Sequence, residues 1–278
     1  MKLPGEQGTL GRELSFALGL ARDAGAEILR LRTSSLTVEM KPGDEPVTAA
    51  DRDATDLIVD GLVRTFPDDV VISEELPATV EQLSAPRVWL VDPIDGTKDF
   101  IRGRDGFAVM IGLLIGGRPA LGVVFQPTIE RTYFATPDGG PQLVERGALE
   151  RLATSAVAAA GDARLVASAS HRSDDIDRVK AELGIANELN VGSVGVKLCM
   201  IAHGVRDLYV NPTAKTKAWD TCAPEAILAA AGGRLSDLFG GPIDYTRELA
   251  HKRGLVASNG AIHDEVVGKL ASLFSSRA

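Results

Sequence analysis

Apolar residues at Leu10, Leu14, Leu18, Ala21, Gly25 and Ile28 recur at helical spacing, which predicts an opening amphipathic helix. After the Gly/Pro-marked turn KPGDEPVT, the stretch DRDATDLIVDGLVRTF predicts a second helix with Leu57, Ile58, Leu62 and Val63 turned inward. DVVIS and RVWLV read as short buried strands, the first running into Glu74 and Glu75 and the second into Asp92. From Gly106 to Ala135 the text is dense in Val, Ile, Leu and Phe with Gly/Pro breaks, the pattern of an antiparallel meander. The Pro/Gly/Ala-rich region from Thr136 to Gly161 is the expected seam between an N-terminal half, 1–150, and a C-terminal half, 151–278.

The second half alternates strand ARLVAS, helix DIDRVKAELG, strand ELNV, helix VGVKLCMIAHG, strand DLYVN and helix DTCAPEAILAAAG, with a closing helix from near Gly260. Strands and helices mixed throughout predict an α/β (α+β) protein built as a layered sandwich, its two halves packed as one compact unit.

Composition narrows the function more than the fold. The 278 residues carry a formal net charge of −8, which speaks against a surface for nucleic-acid polymers. A small phosphorylated ligand stays open, because a local metal site attracts it whatever the global sign. The start, MKLPGEQGTLGREL, lacks the apolar core of a signal peptide, and AVMIGLLIGG falls short of the ~20 residues a bilayer requires. A cytoplasmic protein with no membrane contact is therefore expected, with Cys199 and Cys222 as reduced, buried thiols.

Carboxylates fall at the ends of the predicted elements: Asp51, Glu74, Glu75, Asp92, Asp95 and Asp220. Taken singly, turn and helix-cap preferences account for each. Taken together they suit a hard divalent cation such as Mg²⁺, which takes a few oxygen ligands and leaves the rest to water and substrate phosphate. Pro93 bends the chain so that Asp92 and Asp95 can converge, with the Ile94 carbonyl left available and Gly96 allowing close backbone approach. An EF-hand is excluded, because Asp95, Pro93 and Val91 stand one, three and five places before Gly96. GSVG around Ser193 fits neither a nucleophile elbow nor a Walker loop, and His171, His203, His251 and His263 are too scattered for zinc.

SEE at 73–75, WLVDPIDGT at 89–97 and WDTCAPEA at 219–226 resemble the three metal-site motifs of the inositol monophosphatase superfamily of Mg²⁺-dependent, lithium-sensitive phosphatases. The resemblance runs from about Lys41 to the end and implies the αβαβα layered sandwich. It implies Glu74, Asp92, the Ile94 carbonyl, Asp95 and Asp220 as ligands of two or three Mg²⁺ ions, with Mn²⁺ an acceptable substitute. Most of these lie in the N-terminal half. Asp51, within PVTAAD, would pair with Thr97 to orient and deprotonate the attacking water, and Glu74 would share in catalysis.

PVTAAD, SEE, DGTKDF and WDTCAPE are most similar to the 3'(2'),5'-bisphosphate nucleotidase branch, which serves sulfur assimilation by removing the 3'-phosphate of adenosine 3',5'-bisphosphate. Inositol monophosphatases usually carry a glutamate seven residues before the last aspartate; here that position is Thr213, followed by Lys215 and Lys217. SASHRS and GSVGVK resemble that branch's nucleotide-binding segments, which implies Ser168, His171, Ser193 and Lys197 as substrate contacts beside Asp95, Gly96, Thr97 and Asp220. Ala169 departs from the arginine common at its position. The alternatives are an inositol or broad-specificity sugar phosphatase and, more remotely, a non-catalytic metal-binding regulator. Family members occur as monomers and as dimers, which leaves a homodimer open.

Overall fold

The computed structural model describes residues 2–33, 38–41, 45–170 and 172–277. The expected opening helices are α1 (Gly11–Arg32) and α2 (Ala49–Thr65), packed side by side. The buried stripe of α1 is Leu14, Ala17, Leu18, Ala21, Ala24 and Ile28, with Leu10 buried just ahead of it. On α2 the inner face differs from the expected one, for Leu57 is only half-buried and Val63 is 50% exposed. Small residues Ala50, Ala54 and Gly61 take their place beside Ile58 and Leu62. The reason is close helix contact: a Cβ added at Gly61 would lie 2.7 Å from the Leu20 side chain.

The turn expected at KPGDEPVT includes residues outside the described set; strands β1 (Val38–Lys41) and β2 (Glu45–Thr48) flank it and pair antiparallel. A seven-stranded sheet follows, formed in chain order by β3 (Val70–Ser73), β4 (Arg87–Asp95), β5 (Ala108–Ile115), β6 (Arg118–Gln126), β7 (Arg131–Thr136), β8 (Gly140–Glu145) and β9 (Ala148–Arg151). β3 and β4 are parallel, and every later neighbour is antiparallel. The meander thus runs on through β8 and β9, so much of the region read as a seam is sheet. Its Pro and Gly residues mark hairpin turns.

A second sheet has the order β11 (Glu188–Val191), β10 (Leu165–Ser168), β12 (Leu208–Asn211), β14 (Leu255–Ser258), β13 (Arg234–Ser236). β13 and β14 were not anticipated; β13 is only three residues long, whereas β14 has the same LVAS text as β10 and could have been read from sequence. Three residues are too few to show a period. Helices α5 (Val194–Ala202) and α6 (Ala218–Ala230) lie between the two sheets, while α4 (Asp174–Leu183) and α7 (His263–Leu273) pack together on the outer face of the second.

Strand alternation sorts the core into these layers. Val109, Ile111 and Leu113 of β5 face α1 and α2, whereas Ala108 and Met110 face α5 and α6. In the second sheet Val166, Tyr209 and Ala257 face the central helices, and Leu165, Val210 and Val256 face α4 and α7. Successive side chains on a strand point to opposite faces, so a sheet covered on both sides is apolar at every position. The result is the αβαβα sandwich. Cys199 and Cys222 are free and buried in it. Among the described residues, no helix is long and apolar enough to cross a membrane.

One contact sets where the late acidic motif sits. Gly112 of β5 and Gly122 of β6 are cross-strand partners. A Cβ at Gly112 would come 2.8 Å from the Ala223 nitrogen, and one at Gly122 would come 2.0 Å from the Ala223 carbonyl. Paired glycines therefore let the α6 backbone rest on the sheet, and the first turn of α6 carries Asp220.

Candidate active site

β4 does not stop at Asp92. Asp92 pairs with Met110 and Asp95 with Ala108, so one extra residue bulges out of β4 at Pro93–Ile94. Proline supplies no N–H to a ladder and is tolerated at such a bulge, which re-aims the neighbouring side chains. The chain then turns through Gly96 (φ 98°), where a Cβ would meet the Gly106 carbonyl at 2.8 Å, into the short helix α3 (Thr97–Ile101).

This bulge opens onto a cavity of about 510 Å³ at the junction of the two sheets. Glu74, Asp92, Ile94, Asp95, Gly96, Thr97 and Asp220 all line it, and so do Ser168 and Lys197. Residues separated by more than a hundred positions in sequence thus meet at one place. The same cavity is also lined by Lys98, Lys215 and Lys217 as well as Thr213.

Asp51, Ser193, Lys197 and His171 stand apart from the rest of the predicted set. Asp51 is buried behind the cavity wall and reaches it through Thr97. Ser193 does not line the cavity: it is fully buried, its hydroxyl donates to Asp95 Oδ2 at 2.5 Å, and it accepts from the Val196 N–H. It anchors the turn instead of facing a ligand. Lys197 lines the cavity, yet its ammonium is turned back to donate to the carbonyls of Val191 (3.1 Å) and Gly192 (2.7 Å). His171 lies outside the described residues.

Asp51 and Asp220 occupy equivalent positions in their helices. Each is the third residue of its first turn, with Thr48 and Lys217 as the N-caps. Asp220 is therefore not an N-cap itself. Asp51 Oδ2 accepts from the Thr48 N–H (2.7 Å) and hydroxyl (2.6 Å), and Asp220 Oδ2 accepts from the Lys217 N–H (2.7 Å). Such capping satisfies an otherwise unpaired donor at the helix end and fixes the carboxylate plane. Asp51 Oδ1 then meets the Thr97 hydroxyl at 3.4 Å, and that hydroxyl also lies 3.0 Å from the Ile94 carbonyl.

Burial pushes Asp51 up to about 6, against the opposing pull of its Thr48 hydrogen bonds. Glu74 is raised to about 7 by burial, with Lys41 opposing and Glu75 adding to the rise. Asp92 is driven well above the usual carboxylate range, first by burial and then by the charges of Glu74, Asp95 and Asp220. Asp95 is also raised by burial, although Lys197 and the Ser193–Gly195 turn favour its charged form.

Among the described residues, no three or more His, Cys, Asp or Glu side chains already close around one point in metal-chelating geometry. Part of each acid is held by protein donors, as when Asp92 Oδ1 accepts from the Ile94 N–H at 3.0 Å. The donor set is nonetheless all oxygen, and its members repel one another strongly enough to shift their protonation. A hard divalent cation takes such ligands and removes that repulsion, so the residues fit one. Lys41, which donates to Glu75 at 2.5 Å and Glu74 at 3.3 Å, supplies a cation beside them and was missed from sequence. A lone lysine on a four-residue strand carries no signal. Asp99, which also lines the cavity, was missed too, although its place four residues after Asp95 could have flagged it.

A family model described as the inositol monophosphatase family matches residues 11–274. The chain belongs to the inositol monophosphatase family. Within it, the 3'(2'),5'-bisphosphate nucleotidase CysQ of Salmonella typhimurium is 38% identical over 233 residues, covering 82% of this chain and 91% of that protein. The histidinol-phosphatase of Mycobacterium tuberculosis is 34% identical over 266 residues, covering 93% and 97%. Among solved structures, the Thermotoga maritima IMPase superposes with a TM-score of 0.81 at 27% identity, covering 96% of this chain and all (100%) of that one. An inositol monophosphatase from Zymomonas mobilis gives 0.76 at 26% identity, covering 95% and 99%.

Proposed function

We propose that this chain is a Mg²⁺-dependent phosphomonoesterase whose preferred substrate is adenosine 3',5'-bisphosphate, hydrolysed to AMP and phosphate. One observation carries the substrate choice: the cavity is lined by the carboxylates Glu74, Asp92, Asp95 and Asp220 and also by Lys98, Lys215 and Lys217. A substrate with two anionic groups matches both, one phosphate held through metal and the other by ammonium groups. Thr213 adds no acid to grip sugar hydroxyls, and the similarity to CysQ supports the same reading. Histidinol phosphate, the second reading raised by the mycobacterial relative, would bring an ammonium group toward those lysines.

Glu74, Asp92, the Ile94 carbonyl, Asp95 and Asp220 would hold two or three ions, with Mn²⁺ as a substitute for Mg²⁺. When bound, such ions lower the pKa of water and neutralise charge on phosphoryl and leaving-group oxygens. The chain's own residues supply the rest. The Thr97 hydroxyl accepts a proton from the attacking water while passing its own to Asp51 Oδ1. Asp51 is suited to this because burial places it near 6, within reach of neutral pH on either side. The water oxygen bonds to phosphorus as the ester P–O bond breaks, and the 3'-oxygen leaves as a hydroxyl on taking a proton from solvent water. Asp51 returns its proton to solvent, which closes the proton count. N–H groups at the start of α6 add positive potential nearby. In this reading the half 1–150 carries most of the metal ligands, and the half 151–278 supplies substrate contacts and Asp220.

The test is phosphate release from adenosine 3',5'-bisphosphate, inositol 1-phosphate, fructose 1,6-bisphosphate and histidinol phosphate, side by side, with and without Li⁺. The highest kcat/KM on the nucleotide, suppressed by Li⁺, is expected. A higher kcat/KM on any of the others would replace the substrate while leaving the chemistry in place.

A further inference from the structure

The turn Gly192–Gly195 at the entry to α5 is held from below by one short segment of the chain. Asp95 takes the N–H groups of Val194 (3.1 Å) and Gly195 (2.7 Å), and the Gly106 carbonyl takes that of Ser193 (2.9 Å). The remaining N–H, that of Gly192, donates to Asp99 Oδ2 at 3.1 Å. Asp99 is 3% exposed, and its Oδ1 is buried without a hydrogen-bond partner, 3.7 Å from the Arg104 guanidinium. An added Cβ at Gly106 or Gly192 would lie 2.2 or 2.5 Å from Asp99 Oδ2, so both glycines are needed for this carboxylate to fit. A buried carboxylate with one oxygen unsatisfied is costly, which marks it as a feature with a task.

The other side of the same peptides is held by Lys197, whose ammonium takes the carbonyls of Val191 and Gly192. The Gly192 residue is thus gripped twice: its N–H by an acid from α3, its C=O by a lysine from α5.

We propose that Asp99, though at the edge of the cavity, is a positioning residue that sets substrate affinity by fixing the turn whose Gly192 and Val194 line the same cavity. What matters is its acceptor oxygen: Oδ2 takes the Gly192 N–H at 3.1 Å, while the charge partner Arg104 stands 3.7 Å from Oδ1, beyond hydrogen-bond reach. The effect on substrate rests on the bisphosphatase reading; the effect on the turn does not.

The experiment compares Asp99→Ala, Asp99→Asn and Arg104→Ala in the full chain, reading kcat and KM on the best substrate of the panel above and amide exchange across 191–196. Asp99→Ala is expected to raise KM about tenfold or more with kcat changed less than about threefold, as loss of a charge-assisted hydrogen bond implies. It should also speed exchange at the Gly192 amide. Asp99→Asn, whose amide oxygen still accepts from Gly192, should restore both, and Arg104→Ala should resemble the parent. Unchanged exchange in Asp99→Ala, a fall in kcat with KM unaltered, or an Asn variant as impaired as the Ala variant would each overturn the proposal. If Asp99→Ala fails to fold, Asp99→Leu, close to Asp in size but without an acceptor, takes its place: a raised KM with faster Gly192 exchange beside a parent-like Asn variant supports the proposal, and parent-like KM and exchange in the Leu variant sink it. Faster exchange without a KM change on any substrate would overturn the link to affinity while sparing the phosphatase assignment.

Discussion

Asp95 and Ser193 lie 98 positions apart and are joined by a 2.5 Å hydrogen bond, the serine hydroxyl donating to Oδ2. The same carboxylate takes two N–H groups from the first turn of α5. A residue marked by its motif as a metal ligand is therefore also the clasp between the two sheets' halves of the cavity.

That double role makes Asp95→Asn a folding variant as well as a catalytic one. The amide would set an NH₂ against N–H donors of Val194 or Gly195. A loss of about 1–3 kcal/mol in urea unfolding is expected, together with loss of most turnover. Asp220→Asn is the control, since its amide oxygen can still accept from Lys217; it should lose turnover with little change in stability.

Thr97→Val should lower kcat by about 10²–10⁴-fold with KM nearly constant, because the hydroxyl between Asp51 and the Ile94 carbonyl disappears. Thr97→Ser should keep most of the rate. A Val variant within threefold of the parent (on the order of 0.7 kcal/mol) would remove Thr97 from the proton path.

Gly122→Ala places a methyl 2.0 Å from the Ala223 carbonyl, and backbone cannot swing aside as a side chain would. Overpacking of this kind costs about 1–3 kcal/mol. Because the displaced helix carries Asp220, the Mg²⁺ concentration for half-maximal activity should rise along with the fall in unfolding midpoint.

Lys215→Ala and Lys217→Ala should raise KM for the bisphosphate, each by about tenfold, and leave KM for a simple monophosphate such as p-nitrophenyl phosphate unchanged. Equal effects on both substrates would place those lysines away from the second phosphate.

Two buried histidines away from the cavity should subtract stability in mild acid. His263 is buried between two serines: Ser236 donates its hydroxyl to the Asp237 carbonyl and so receives the Nε2 proton, leaving Nδ1 to accept from Ser258. Burial lowers His263 to about 4, and His251 is likewise lowered to about 4. Between pH 6.5 and about 4 these two histidines bind more protons in the unfolded chain than in the native one, so their contribution to stability declines as pH drops through that window and levels off below it. Buried carboxylates such as Asp51 and Glu74, raised to about 6 and about 7, act in the opposite direction. His263→Gln, which keeps the donor to Ser236 but does not titrate, should flatten the slope of Tm against pH; an unaltered slope would clear His263.

Much of this protein could be read before folding it. The helical period of α1, the strand runs of the meander and the order of the acidic motifs are local properties, and each survives in the structure. The motif spacing at Asp92–Asp95 even contains its own bulge, because a proline between two acids dictates it. Other features are decided only in three dimensions. Whether Val63 or Ala54 faces inward depends on how closely α1 approaches α2. The three-residue β13 exists because β14 offers it a partner, its own text being too short to speak. Ser193 and Lys197, marked as ligand contacts by their motif, turn their polar atoms toward Asp95 and the Val191–Gly192 carbonyls, since a buried donor takes the nearest acceptor. Sequence determines which groups are available and where the chain bends; tertiary packing determines which of them are left facing the cavity, because burial compels each polar atom to find a partner first.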